Sequence, residues 1–409
     1  MLTSLAFIFL IGLSMAAICQ KLKLPRIIGM LITGIVLGPY VLNLLDPSIL
    51  SISSELRQMA LIIILLKAGL SLNLSDLKKV GRPAIMMSCV PASFEILAFF
   101  LFAPYLLEVS RIEAAVMGAV LGAVSPAVVV PRMVQFMDSR YGTQKSIPQL
   151  VMAGASCDDI FVIVLFTTFV SMAQGGQVHI MDFVNIPISI ILGIALGALV
   201  GFLLSIFFET AYAHKHCVRN SMKVIIVLGI SFMLMAIESW AEDFVSISGL
   251  LAVVSMACVL KLKSIAFVSK RLSEKFGKLW IAAEVILFVL VGAAVDIRYT
   301  MGAGLSAIAM IFLALIFRGI GVSICLVKTN LNWKERLFCV IAYLPKATVQ
   351  AAIGSVPLAM GLPCGQIVLS VAVLAILITA PLGAIGMDLT YKKLPVSYTH
   401  LTLPTNSLV

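Results

Sequence analysis

Charge is scarce in this chain: 12% of its 409 residues are Asp, Glu, Lys or Arg, whereas 61% are hydrophobic. Soluble domains carry about 25% charged residues, so a water-solvated fold is excluded. Histidine is rarer still, at 179, 214, 216 and 400 only, and shows no HExxH or other ligand spacing. His214 and His216 flank Lys215 and are read as a solvated loop rather than a pH sensor. The eight cysteines, at 19, 89, 157, 217, 258, 325, 339 and 364, form no CxxC pair. They read as free, buried, small hydrophobes, which argues against a disulfide framework or a metal centre. Neither a cofactor nor enzymatic chemistry is expected.

What is abundant is apolar sequence in long runs. At about 20 residues per span, thirteen membrane helices are expected, near 2–19, 26–45, 55–72, 83–107, 112–135, 148–173, 183–210, 221–240, 245–261, 279–296, 300–327, 336–360 and 364–389. The first is no secretory leader, because Lys21, Lys23 and Arg26 follow it and no basic residue precedes it. The net charge of +10 raises the question of nucleic acid, but placement answers it. Alternate loops, beginning after the first span, hold 23 of the 29 basic residues. The other loops hold only Arg57, Arg111 and Arg298. The positive-inside rule then puts the N-terminus outside and the C-terminus in the cytoplasm, which an odd number of spans requires. The basic excess is a topology signal, and the partner it implies is the lipid bilayer.

Seven ionisable groups remain inside the expected spans: Lys67, Glu95, Asp158, Asp159, Glu284, Arg318 and Lys346. Each costs about 2.5–3.5 kcal/mol at the centre of a membrane helix, so such groups face the protein interior and pair. Asp158 and Asp159 are adjacent, and like charges side by side cost more unless a proton or a cation neutralises one. That arrangement suits a carrier of cations or protons.

Two short matches hint at an internal repeat. Leu65-Leu-Lys-Ala-Gly-Leu-Ser-Leu-Asn73 in the third span resembles Leu290-Val-Gly-Ala-Ala-Val-Asp296 in the tenth. Gly122-Ala-Val-Ser-Pro-Ala-Val128 in the fifth parallels Ala342-Tyr-Leu-Pro-Lys-Ala-Thr348 in the twelfth. The shared offset of seven spans reverses orientation, the pattern of inverted-repeat secondary transporters. Pro126 and Pro131 interrupt one member and Pro345 the other. Broken backbone at membrane depth is tolerated where it is buried or lines a cavity. Lys346, directly after a break, is placed to offset the negative end of a half-helix.

Lys67-Ala-Gly-Leu, Gly122-Ala-Val-Ser-Pro-Ala-Val-Val-Val-Pro131, Ala153-Gly-Ala-Ser-Cys-Asp-Asp159 and Pro345-Lys-Ala-Thr-Val-Gln-Ala351 together resemble the monovalent cation/proton antiporter superfamily. The branch is the double-aspartate one, and the likeness is to NHA-type sodium/proton antiporters over residues 1–393. The resemblance implies an all-α inverted-repeat antiporter fold with two interrupted, crossing helices. It implies core helices near 83–173 and 300–389, dimerisation helices near 2–72 and 221–296, and a linker near 183–210. A homodimer working by elevator-like alternating access is expected, serving pH homeostasis in a bacterial cytoplasmic membrane. Asp159 is the expected carrier of Na⁺ or Li⁺ and of H⁺, with Asp158 assisting. Ser125 and Ser156 are expected oxygen ligands, by analogy with other hard cations. Glu95 and Arg318 are expected to pair.

Electrogenic members carry a lysine where Arg318 aligns. Arginine stays protonated in proteins, so the resemblance points to electroneutral exchange. Lys67, near a helix end, reads as a snorkelling side chain, and Glu284 has no partner evident from sequence. A K⁺/H⁺ antiporter of the same superfamily and a sodium-coupled organic-solute symporter are the rival readings. An intramembrane aspartyl protease is disfavoured, because its aspartates come from separate helices and no Gly-x-Gly-Asp segment is present. Residues 394–409 leave the membrane pattern and resemble translated adapter sequence, so they are read as a non-native tail.

Overall fold

The computed structural model describes residues 1–71, 81–139, 141–142, 145–174, 180–213, 219–241 and 247–395. His179, His214, His216, His400, Leu72, Asn73 and the tail from 396 lie outside the described residues. The secondary structure is helical: α1 (Leu2–Lys21), α2 (Arg26–Leu37), α3 (Pro47–Ser51), α4 (Ser53–Ser71), α5 (Arg82–Met87), α6 (Val90–Leu106), α7 (Arg111–Gly122), α8 (Pro126–Asp138) and α9 (Ile147–Gln174). They are followed by α10 (Ile180–Ala213), α11 (Asn220–Ala241), α12 (Gly249–Lys263), α13 (Ala266–Ala293), α14 (Ile297–Cys325), α15 (Trp333–Ala342), α16 (Thr348–Gly354), α17 (Val356–Ala359) and α18 (Gly365–Thr390).

Nine helical segments among the described residues are long and apolar enough to cross a membrane, fewer than the thirteen expected. The expected span 26–45 is a 12-residue helix that stops at Leu37 and turns at Gly38. α12 covers only 15 residues. The expected span 336–360 is divided into α15, α16 and α17 around residues 343–347. Long apolar runs report burial in lipid or protein; they do not report where the backbone stops being helical.

Packing sorts the helices into two groups. In one, α13 packs on α4, α2 and α1, and α12 packs on α4. In the other, α6 packs on α14 and α7, α9 on α7 and α8, and α18 on α14, α15 and α16. α10 lies mainly along α12. Close approach in the first group depends on glycine. A methyl carbon at Gly34 would overlap the carbonyl oxygen of Val289, and one at Gly292 would overlap that of Leu31. With no water to expel between helices in lipid, small residues that let backbones touch supply much of the association.

The repeat-related helices α7 and α15 start alike. Ser110 caps α7, its hydroxyl accepting from Glu113 N while Glu113 Oε2 accepts from Ser110 N at 2.8 Å. Asn332 and Glu335 make the same reciprocal box at α15. Each box satisfies two donors otherwise orphaned at a helix start. Each helix then runs inward to a break: residues 123–125 before α8, and 343–347 before α16.

Candidate cation site at the crossing of the broken helices

The two breaks meet. Ser125 N donates to Pro345 O at 2.8 Å, joining the segments where both have left the helix. Pro126 opens α8 at its first position, where its missing N–H costs nothing, whereas Pro131 lies inside α8. Pro345 occupies the second break. The last carbonyls of α7 and those just beyond it have no intrahelical donors, and three side chains supply them. Lys346 Nζ donates to Leu121 O at 2.5 Å, Arg318 Nη1 to Gly122 O at 2.5 Å, and Gln350 Nε2 to Ala123 O at 2.6 Å.

Two cations are therefore held at the negative end of a half-helix, a placement favoured by its dipole. Both also share one carboxylate: Glu95 Oε2 lies 2.7 Å from Arg318 Nη1 and 2.5 Å from Lys346 Nζ. Arg318, fully buried on α14, is fixed from every side. Its Nε donates to Tyr343 O at 2.6 Å, its Nη2 pairs with Asp158 Oδ2 at 3.0 Å, and its guanidinium lies 5.5 Å from the Tyr343 ring centre. Asp158 Oδ2 also accepts from Val124 N at 2.8 Å, so this carboxylate satisfies a buried backbone donor of the first break.

Adjacent residues on a helix point about 100° apart, and α9 uses that angle to give its two aspartates different surroundings. Asp158 faces Arg318 and the break. Asp159 lines a cavity of about 970 Å³ together with Cys157, Thr348, Pro126, Pro131 and Gln149. Asp159 Oδ1 is buried and has no hydrogen-bond partner among the described residues, and neither has Asp158 Oδ1. The cavity also reaches Lys23, Gln135, Gly277 and Asp388, at the end of the molecule where the basic loops lie.

Ser125 is fully buried, its hydroxyl 3.5 Å from Thr348 Oγ1, and Thr348 rather than Ser125 reaches the cavity. The Ser156 side chain is outside the described residues. Lys67 and Glu284 both line the cavity, with Lys67 Nζ 5.7 Å from the Trp280 ring centre and Glu284 Oε2 3.6 Å from Arg26 Nη2. Gln350, Tyr343, Thr348 and Thr379, whose hydroxyl accepts from Lys346 N at 2.9 Å, carry roles that sequence reasoning missed. Thr348 and Gln350 sit within the Pro345–Ala351 motif, so the stretch was conspicuous although their individual tasks were not.

The transmembrane sodium/hydrogen exchanger profile matches residues 5–391. Human sodium/hydrogen exchanger 9B2 is 33% identical over 392 residues, covering 92% of this chain and 71% of the relative. Human sodium/hydrogen exchanger 9B1 is 31% identical over 395 residues, covering 91% and 72%. Among solved structures, the sodium proton antiporter MjNhaP1 from Methanocaldococcus jannaschii at pH 8 superposes with a TM-score of 0.80 at 22% identity, over 96% of this chain and 98% of that one. Motifs, fold and relatives agree, and the chain is a member of the sodium/hydrogen exchanger family.

Proposed function

We propose that this exchanger carries one Na⁺ or Li⁺ against one H⁺, with Asp159 as the group both substrates occupy in turn. The observation that carries the reading is the division of labour on α9. Asp158 Oδ2 is spoken for by Arg318 and Val124 N, whereas Asp159 lines the cavity and its carboxylate makes no hydrogen bond or ion pair among the described residues. A cation and a proton that compete for the same oxygens cannot be bound together, and that exclusion couples their opposite fluxes. Thr348, which lines the same cavity as Asp159, is a candidate for a further oxygen ligand.

Charge counting supports electroneutral exchange. The buried cluster holds Glu95, Asp158 and Asp159 against Arg318 and Lys346. With all five ionised its net charge is −1, so one Na⁺ or one H⁺ brings it to neutrality. Arg318 keeps its proton. Lys346 is bonded to Glu95 and Leu121 O rather than to the aspartates, so a cation arriving at Asp159 breaks no lysine pair. Crossing in either loaded form then moves no net charge through the bilayer.

The two packing groups suggest the moving parts. Helices of 83–173 and 300–389 form the carrier body, and helices of 2–72 and 221–296 form the dimerisation body of a homodimer. The linker 183–210 joins them, in an elevator-like exchange of access. The charge placement supports an N-terminus outside and a cytoplasmic C-terminus, and the membrane we assign is a bacterial cytoplasmic one. Purified protein in proteoliposomes should dissipate a pH gradient on addition of Na⁺ or Li⁺ at a rate independent of a clamped membrane potential. Asp159→Asn should abolish the signal. A strongly voltage-dependent rate overturns the stoichiometry; full activity of Asp159→Asn overturns the site.

A further inference from the structure

The cavity is not an obvious route for a cation. Four basic side chains line it: Lys23, Arg26, Lys67 and Arg132. Clefts with low-dielectric walls focus the field of such groups and repel a like charge. Arg132 is neutralised by Asp388 in a bidentate pair, Nε–Oδ1 3.0 Å and Nη2–Oδ2 3.1 Å. Arg26 and Lys67 share a single acid, Glu284 on α13, which is 4% exposed. Arg26 approaches it at 3.6 Å, while Lys67 rests against the Trp280 face one turn before it.

Glu284 lies on α13, in the other packing group from the helix that carries Asp159, and lines the same cavity. A carboxylate buried there for helix association alone has no need to line an ion route. We propose that Glu284 is an access-controlling residue: it cancels the repulsion of Lys67 and Arg26 and thereby sets how readily a monovalent cation reaches Asp159 from the basic end. Lys67 is its counterweight, holding down occupancy by cations. The proposal rests on the reading of Asp159 as the carrier.

The test is Na⁺-driven exchange in proteoliposomes with Na⁺ presented on the basic side. Glu284→Gln should raise the half-saturating Na⁺ concentration roughly tenfold, the size of one lost unit charge beside a partly buried path. The maximal rate should be retained. Adding Lys67→Gln to that variant should bring the half-saturating concentration back. Lys67→Gln alone should lower it several-fold, an outcome that holds the proposal to account even where Glu284→Gln folds poorly. An unchanged half-saturating concentration in both single variants overturns the proposal. So does a loss of maximal rate and melting temperature in Glu284→Gln that Lys67→Gln does not reverse, because a merely structural pair behaves that way. Residual exchange in Asp159→Asn, run alongside, strikes the carrier assignment instead.

Discussion

At the scale of single residues, neighbouring aspartates have different surroundings, Asp158 at Arg318 and the first break and Asp159 at the cavity, and the proposed function divides them between structure and transport. Asp158 pairs with Arg318 and caps Val124 N, and neutralising it leaves a buried guanidinium short of a counter-charge. Breaking a buried pair from one side costs about 3–5 kcal/mol. Asp158→Asn should therefore lower the melting temperature of the detergent-solubilised protein by several degrees. Asp159→Asn should leave it unchanged or raise it, because it removes an unpartnered carboxylate. Equal shifts in the two variants, measured by a thermal unfolding assay, contradict that division. The sequence singled out both aspartates through the cost of like charges in lipid, and a one-dimensional string cannot say which of two adjacent side chains faces a cavity. Glu284 shows the same limit, since its neighbours Arg26 and Lys67 are remote in sequence.

At the scale of elements, the paired breaks before α8 and α16 are where the sequence was most legible. Proline marks a missing donor wherever it occurs, and a shared offset of seven spans relates the two sites. The capping boxes of α7 and α15 are equally readable, as Ser110-Arg-Ile-Glu113 and Asn332-Trp-Lys-Glu335. Less legible was the supply of hydrogen bonds to the freed carbonyls, because Lys346, Arg318 and Gln350 come from two different helical regions. Gln350 does the most with no charge, donating to Ala123 O and accepting from Ala347 N, and so ties both breaks together. Truncating it leaves two buried backbone groups unsatisfied, each costing about 1–3 kcal/mol. Gln350→Ala should then reduce both stability and maximal exchange rate, and Gln350→Glu should not restore them, since a carboxylate cannot donate to Ala123 O. Exchange at the native rate in Gln350→Ala would show that the crossing needs no such tie.

At the scale of the whole molecule, the cavity opens toward one end, and the proposed orientation gives that end a side of the membrane. It reaches Asp159 from the end that carries Lys23, Gln135, Gly277 and Asp388, which the positive-inside rule assigns to the cytoplasm. The structure is thus open toward the basic loops, and an elevator-like exchange of access would carry the same carboxylate to the other face. Cys157 reports on this, because it lines the cavity two positions before Asp159 and is the only cysteine among the described residues that does. In a variant retaining Cys157 alone, a small membrane-impermeant thiol reagent should block exchange when applied from the basic side. Saturating Na⁺, by filling the space next to the thiol, should slow the block. Protection should vanish in Asp159→Asn, which cannot hold the ion. Labelling only from the opposite side would reverse the assigned orientation, and Na⁺ protection that survives Asp159→Asn would place the cation away from the carboxylate that the cavity exposes.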